Sequence, residues 1–344
     1  MDNYVRIAVD AMGGDNAPAA VVQGCVDALA QDSGIYIFLT GDEQQIKALL
    51  SGKKYDESRL EIVHASEVIT NDEHPAFAIK KKRDSSMVIA QRLVREGKAD
   101  AFLSAGSTGA VLVGGQVLIG RIRGIQRPAL APLMPTLQGV SLLIDCGANV
   151  DAKPSNLVQF AQMGSIYMEY YVGIKNPRVA ILNIGTEEAK GNDLVRQTYP
   201  LLKECSGINF IGSIEARDIP AGKADVIVCD AFAGNVALKM YEGSAIAIMS
   251  LLKKTLTKSL KTKIGAALIY KDLKSDLKEY DASAYGGAPL LGLKGLVVKA
   301  HGSAEAKEIR IAITQAANFV RKDITGKISA AVGSSQTAEE SDAQ

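Results

Sequence analysis

"AFLSAGSTGAVLVGG", residues 101–115, runs from an apolar stretch through glycines and hydroxyl side chains into a second apolar stretch. Ala101-Phe102-Leu103 reads as a short buried strand, the small residues as a loop, and the second apolar stretch as a helix-compatible segment. The same step recurs along the chain. "RIAVD" leads into "AMGGDNAP", "IYIFL" into "TGDEQQ" and "VSLLID" into "CGANVD". Further on, "RVAILN" leads into "IGTEEAKGN", "INFIG" into "SIEARD", "DVIVCD" into "AFAGN" and "GLVVKA" into "HGSAEA". Near-continuous apolar runs between helical segments are the mark of strands buried on both faces. Their alternation with helices predicts an α/β fold: a doubly wound, mostly parallel sheet in a three-layer α/β/α sandwich. In such sheets ligands bind outside the carboxyl ends of the strands. All of these polar loops lie at that edge, so the active site is expected there.

Bulk properties narrow the function classes. The 344 residues carry 39 Lys+Arg against 38 Asp+Glu, a formal net charge of +1, which gives no global signal for nucleic acid. Cys25, Cys146, Cys205 and Cys229 form no C-x-x-C pair, and Cys146 and Cys229 sit in apolar runs. They read as buried thiols of a reducing compartment, not as zinc ligands. "MDNYVRIAVDAMGG" enters a strand almost at once, without a basic segment or a long apolar run, so no secretory signal is expected. No run of about 18 apolar residues occurs. A cytoplasmic protein is the expectation. Residues 1–326 read as a single α/β/α domain, and the small, polar, acidic stretch 327–344 as a disordered tail.

One segment breaks the rhythm. Over 240–285 the strand signal disappears, and Met249, Leu252, Leu256, Leu260 and Ile264 recur at helical spacing. Lys253, Lys254, Lys258, Lys261 and Lys263 take the other positions, "GAALIY" (265–270) follows as an apolar patch, and "KDLKSDLK" comes after it. The pattern predicts a long amphipathic helix, a turn and another helix, projecting from the sandwich. It suits a dimer or surface helix, a contact with anionic lipid through 245–270, or both.

The loops carry the candidate chemistry. At 104–109, successive N–H groups with glycines that allow close approach suit an anion, and Ser104, Ser107 and Thr108 add hydroxyl donors. A tight turn capped by Ser107 or Thr108 explains the same residues. Neither G-x-G-x-x-G nor G-x-x-x-x-G-K-[ST] is present. "DAMGGDNAP" (10–18) sets Asp10 and Asp15 around Gly13 and Gly14, with Asp15 or Asn16 as a helix cap. In "DCGANVD" (145–151), Asn149 is placed to cap or to bind. "NIGTEEAKGN" (183–192) reads as a helix start with Thr186 at the N-cap and Glu187 and Glu188 in the first turn. Lys190 then stands in that turn against the helix dipole, a hint of function. "CDAFAGNVALK" (229–239) ends a strand with Asp230 and opens a helix at Asn235. "KAHGSAEA" (299–306) brings Lys299, His301 and Ser303 to the same edge. Of His64, His74 and His301, only His301 falls in such a loop, as a structural residue or a general base. No G-x-S-x-G elbow occurs and Cys146 has no evident base, so covalent catalysis by the protein has no support. The chemistry favoured is one whose substrate is itself a competent nucleophile.

With these motifs in order, the chain resembles the fatty acyl-ACP:phosphate acyltransferase family (PlsX) of bacterial phospholipid synthesis. "VDAMGGDNAP", "SAGSTGA", "DCGAN", "NIGTEEAKGN", "CDAFAGNVALK" and "HGSA" carry the resemblance over about residues 4–325. It implies transfer of a long-chain acyl group from acyl carrier protein to inorganic phosphate, with no cofactor and no metal. Phosphate is already an anionic oxygen nucleophile, and a thiol with a pKa of roughly 8.5 leaves readily. The enzyme has to aim phosphate and stabilise an oxyanion. On this reading Gly106, Ser107, Thr108 and Gly109 cradle phosphate with Ser104. Lys190 neutralises phosphate or the developing oxyanion, Asn235 donates to the thioester carbonyl, and Asp230 or His301 orients it. Asp10, Gly13, Gly14, Asn149 and Thr186 are assigned to the acyl-pantetheine side. A homodimer and a peripheral contact with the inner face of the membrane are further expectations. Rival readings are a short-chain phosphotransacetylase, a β-decarboxylating dehydrogenase with Asp225 and Asp230 on a metal, and a non-catalytic membrane-surface scaffold.

Overall fold

Strands form where branched and aromatic apolar residues run together. In chain order they are β1 (Val5–Asp10), β2 (Ile35–Gly41), β3 (Leu60–His64), β4 (Ala101–Ser104), β5 (Ala129–Leu130) and β6 (Leu133–Thr136). Then come β7 (Gly139–Ile144), β8 (Arg178–Asn183), β9 (Asn209–Glu215), β10 (Val226–Val228), β11 (Ala288–Leu291) and β12 (Leu296–Lys299). The computed structural model describes residues 4–279 and 285–332.

The strands make two sheets, in two compact units, where the sequence reading takes 1–326 as one sandwich. The first unit comprises the residues up to Pro132, Gln162–Asn176 and the described residues from Tyr285 onward; the second comprises Leu133–Ala161 and the described residues from Pro177 to Glu279. The change of sheet is local. Leu130 pairs with Leu290 in one sheet, whereas Leu133 pairs with Leu142 in the other. Pro132 stands between them without an N–H to continue a ladder.

In the first unit the order is β3-β2-β1-β4-β12-β11-β5. The ladder from β3 to β12 is parallel; β11 runs antiparallel to both β12 and β5. The chain winds outward from β1 to β2 and β3, then returns to place β4 on the other side of β1. That reversal is the topological switch of a doubly wound sheet, where the crevice at the carboxyl ends opens. Helices Ala19–Gln31 and Ala306–Arg321 pack closely enough that a Cβ on Gly24 would stand 2.6 Å from Cβ of Ile309. In the second unit the order is β6-β7-β10-β8-β9, parallel except for β6. Its core gathers Met134, Leu143, Cys146, Ala180, Ile227 and Cys229, so the two thiols are buried as expected.

Two boundaries differ from the sequence reading. Residues 324–332 are helical, because Ile324, Ile328 and Val332 recur one turn apart and all three are buried. The expected tail therefore begins no earlier than 333, and 333–344 lie outside the described residues. Over 240–285 the helices are Ala231–Leu256 and Leu260–Glu279, so the turn falls at 257–259 and "GAALIY" lies within the second helix. Ser259 starts that helix: its N–H donates to Thr262 Oγ1 at 2.9 Å, and Thr262 N–H donates back to Ser259 Oγ at 3.2 Å. None of residues 245–277 is buried.

Candidate active site

In the first unit, the ends of β1 and β4 and the loops after them converge on the Asp10 carboxylate, which is 2 % exposed, and the loop after β12 bonds to Asp15 and Asn16 beside it. Ser86 Oγ donates to its Oδ1 at 2.6 Å and Ser104 Oγ to its Oδ2 at 2.7 Å. Ser104 Oγ in turn accepts from Gly106 N–H at 2.9 Å. Asp10 and Ser104 end their strands side by side because β1 and β4 are paired at the switch point. Gly13 has no room for a side chain: a Cβ there would stand 2.5 Å from Asp10 Oδ2 and 2.7 Å from Gly106 N. Gly14 takes φ +107° and lies against Ala105 and the Gly302 carbonyl, to which Asp15 N–H donates at 2.8 Å. Lys299, itself buried, donates from Nζ to the Ala105 carbonyl at 3.2 Å and also to that of Ala300.

The consequence is a rigid loop with bare N–H groups. Ser107 occupies the N-cap of the helix Thr108–Gly114 but makes no side-chain cap bond. The N–H groups of Ser107, Thr108 and Gly109 donate to no protein acceptor among the described residues. The Ser104 hydroxyl is committed to Asp10 and Gly106, so it braces the loop and is not left over for an anion. Asp15 and Asn16 do not cap the following helix; Pro18 stands at its N-cap. Asn16 ties the β12 loop instead, donating to the Ser303 carbonyl at 3.0 Å. His301 is exposed, with Nδ1 2.8 Å from Ser303 Oγ.

Burial pushes the Asp10 carboxyl above its usual range, against the hydrogen bonds from Ser86 and Ser104 that pull it down. The folded protein therefore holds this proton more tightly than the unfolded chain. The stability tied to it is complete below the unfolded value of 3.8 and is lost as pH rises through the raised folded value. Asp10→Asn removes that dependence. The difference in unfolding free energy, wild type minus variant, is expected to fall with rising pH and then flatten. Urea titrations between about pH 4 and 8 check this, and parallel stability curves would contradict it.

The second unit has its own knot at the ends of β7 and β10. Asp145, fully buried, accepts from the N–H groups of Gly147 (3.3 Å), Ala148 (3.2 Å) and Asn149 (2.8 Å), and from Asn149 Nδ2 at 2.8 Å. The Ile144–Asp145 peptide is cis. The Asn149 carbonyl accepts from Ala231 N–H at 3.0 Å, joining this loop to the start of the helix Ala231–Leu256. That helix opens at Ala231 and not at Asn235, because Asp230 caps it: Oδ1 accepts from Phe232 and Ala233 N–H, both at 2.9 Å. Asn235 falls one turn in, exposed, and its amide has no partner among the described residues.

The loop after β8 overturns one sequence argument. Residues 184–192 form no helix; Asn192 caps the helix Asp193–Glu204, accepting from Val195 N–H at 2.9 Å. Thr186 is therefore no N-cap, and Lys190 opposes no helix dipole. Gly185 and Gly191 break the segment, the latter at φ +112°. Lys190 Nζ lies 3.2 Å from Glu187 Oε1, half exposed. Asp225, a metal ligand in the dehydrogenase reading, is bonded by Arg178, with Nη2 2.9 Å from Oδ1 and the backbone N–H 2.7 Å from Oδ2. It precedes β10 while Asp230 follows it, about 16 Å along an extended chain, too far to share an ion.

The site residues thus fall into two groups. Asp10, Gly13, Gly14, Ser104, Gly106, Ser107, Thr108, Gly109 and His301 belong to the first unit; Asn149, Thr186, Lys190, Asp230 and Asn235 to the second. Ser86 and Asp145 are organising residues that the sequence motifs do not single out. Ser86 gives no local signal, since its partner lies 76 residues away.

Against known proteins, residues 5–327 match the family described as "Fatty acid synthesis protein". The chain belongs to this family. It is an acyltransferase. The phosphate acyltransferase of Clostridium perfringens (strain SM101 / Type A) is 51% identical over 325 residues, 94% of this chain and 96% of that one. The phosphate acyltransferase of Alkaliphilus oremlandii (strain OhILAs) is 51% identical over 330 residues, covering 96% and 98%. Among solved structures, a phosphotransacetylase from Streptococcus pyogenes has a TM-score of 0.63 at 18% identity, covering 93% of this chain and 95% of that one. The EutD phosphotransacetylase from Staphylococcus aureus has a TM-score of 0.59, also at 18% identity, covering 92% and 94%. At that identity the likeness is one of fold.

Proposed function

We propose that this acyltransferase moves a long-chain acyl group from acyl carrier protein to inorganic phosphate, forming acyl phosphate for phospholipid synthesis. The observation that carries the phosphate half is the loop 104–109. Its carbonyl side is held by Lys299 and its base by Asp10 and Ser104, and three N–H groups are left without protein acceptors. Phosphate satisfies them, with Thr108, an exposed residue, among them. Lys190 neutralises charge, Asn235 donates to the thioester carbonyl oxygen, and Asp230 fixes the helix end that carries Asn235. Asn149, Thr186, Gly13 and Gly14 serve the acyl-pantetheine side; Asp10, assigned there on the sequence, is buried and bonded by Ser86 and Ser104 and braces the loop instead. His301 is held as a base or an orienting group.

A phosphate oxygen attacks the thioester carbon, and the C–O bond forms as charge collects on the carbonyl oxygen. Collapse breaks the C–S bond, and the thiolate leaves with the proton that phosphate gives up. No enzyme nucleophile is required. Mixing the protein with palmitoyl-acyl carrier protein and radiolabelled phosphate is expected to give labelled acyl phosphate, and Lys190→Ala to lower its rate at least about tenfold. Product from acetyl donors alone would support the short-chain phosphotransacetylase reading.

No described helix is long and apolar enough to cross a membrane. The helix pair 231–279 exposes Ile246, Leu251, Leu268 and Ile269 beside its lysines, which supports dimerisation and peripheral contact of a cytoplasmic enzyme with anionic lipid. Sedimentation at twice the chain mass of 36.4 kDa and pelleting with anionic vesicles are the corresponding results.

A further inference from the structure

In the first unit a short helix, Pro75–Lys81, lies on the glycine loop itself. A Cβ on Gly109 would stand 2.6 Å from Cγ of Pro75. Its Ala78 and Ile79 are buried, and its Phe77 faces outward, 60% exposed. Lys80, Lys81 and Arg83 are exposed too, with Lys81 Nζ 4.8 Å from the centroid of the Phe77 ring. None of these three cations meets a carboxylate within ion-pair distance among the described residues. Arg92, also exposed, donates to the Arg83 carbonyl at 3.1 Å. Two neighbouring carboxylates are engaged elsewhere. Glu73 pairs with Lys82 at 2.7 Å, and Lys82 also holds the Val68 carbonyl at 2.7 Å. Asp84 accepts from the Ser66 hydroxyl and N–H.

Lysines in the last turn of a helix complement its dipole, and exposed cations are commonly just solvated. Neither use accounts for an exposed phenylalanine among them on a face held in place by Lys82. An apolar anchor rimmed by cations fits an acidic protein surface: the ring supplies burial, and the charges steer and orient the partner. Position then selects the partner. The helix rises about 9 Å from Pro75 to Lys81, so a protein seated on its far end stands beside the loop proposed to hold phosphate. We propose that Phe77, Lys80, Lys81 and Arg83 form the docking face for the acidic carrier protein that presents the acyl thioester. The proposal rests on acyl carrier protein being the donor, as proposed for this acyltransferase.

The test compares two donors, palmitoyl-acyl carrier protein and palmitoyl-pantetheine, a small uncharged thioester. In Lys80→Glu/Lys81→Glu, KM for the carrier donor is expected to rise at least about tenfold with kcat unchanged, while rates with palmitoyl-pantetheine stay at the wild-type level. Phe77→Ser is expected to act in the same direction, and the wild-type KM for the carrier donor to rise with salt. A carrier KM within twofold of wild type in the charge-reversed variant overturns the proposal, as does an equal loss with both donors. Loss of binding to phosphatidylglycerol vesicles with the carrier KM unchanged also overturns it and assigns the face to lipid. If the wild type uses palmitoyl-pantetheine but not the carrier donor, the donor reading itself has failed, whatever the variants do.

Discussion

Gly234→Ala is expected to cost the protein about 3 kcal/mol or more of stability, one of the largest effects of a single methyl group in this chain. Gly234 sits in the first turn of the helix Ala231–Leu256, where that helix crosses the end of β7. A Cβ there would stand 1.9 Å from the Asp145 carbonyl oxygen and 2.9 Å from Cys229 Sγ. Neither neighbour can swing aside: one is backbone in the Asp145 knot, the other a thiol in the core of the second unit. The helix start would have to lift, straining the Asp230 cap and the Ala231–Asn149 bond together. Gly243→Ala, farther along the same helix, is the internal control, because nothing lies within 4 Å of its Cβ position. There alanine is expected to stabilise by up to about 1 kcal/mol through helix propensity. Urea unfolding of both variants checks the contrast. Equal midpoints would mean that the close approach at Gly234 carries no energy.

Asn235→Ala is expected to lower kcat about a hundredfold with little change in KM, the usual result of removing one donor to a developing oxyanion. The same substitution is expected to leave stability within about 0.5 kcal/mol, because the side chain is exposed and makes no hydrogen bond among the described residues. The split between rate and stability is the informative part. Asn235 lies one residue from the crowded Gly234, so its backbone is held by contacts that do not involve its amide. A kcat within twofold of wild type would remove Asn235 from the chemistry and leave the thioester carbonyl to another group.

Much of the fold could be read from short stretches. The apolar runs quoted from the sequence become β1, β2, β4, β7, β8, β9, β10 and β12, all strands with parallel neighbours and, apart from the edge strand β9, largely buried. The strands that escaped notice are different in kind. β3 has only exposed and half-buried residues at a sheet edge, β5 has two residues, and β6 and β11 are antiparallel and contain proline. Their pairing is set by the partner strand and leaves a weak local pattern. The helix ends show the same limit. Asp230 and Asn192 are caps because of where the chain turns, and Thr186, an equally good capping residue type, heads no helix because Gly185 and Gly191 open the loop around it.

By itself the sequence determined the α/β class, the edge of the sheets at which polar loops gather, and the motifs that mark the family. These follow from strand burial and from glycine and hydroxyl side chains within a few residues of each other. Only the tertiary structure decided that the strands divide into two sheets and that Ser104 is a brace. It alone showed Asp10 to be a buried carboxyl held by residues 76 and 94 positions away. Such contacts arise when parallel strands from distant parts of the chain are placed side by side, and the burial that raises the Asp10 pKa exists only after they are.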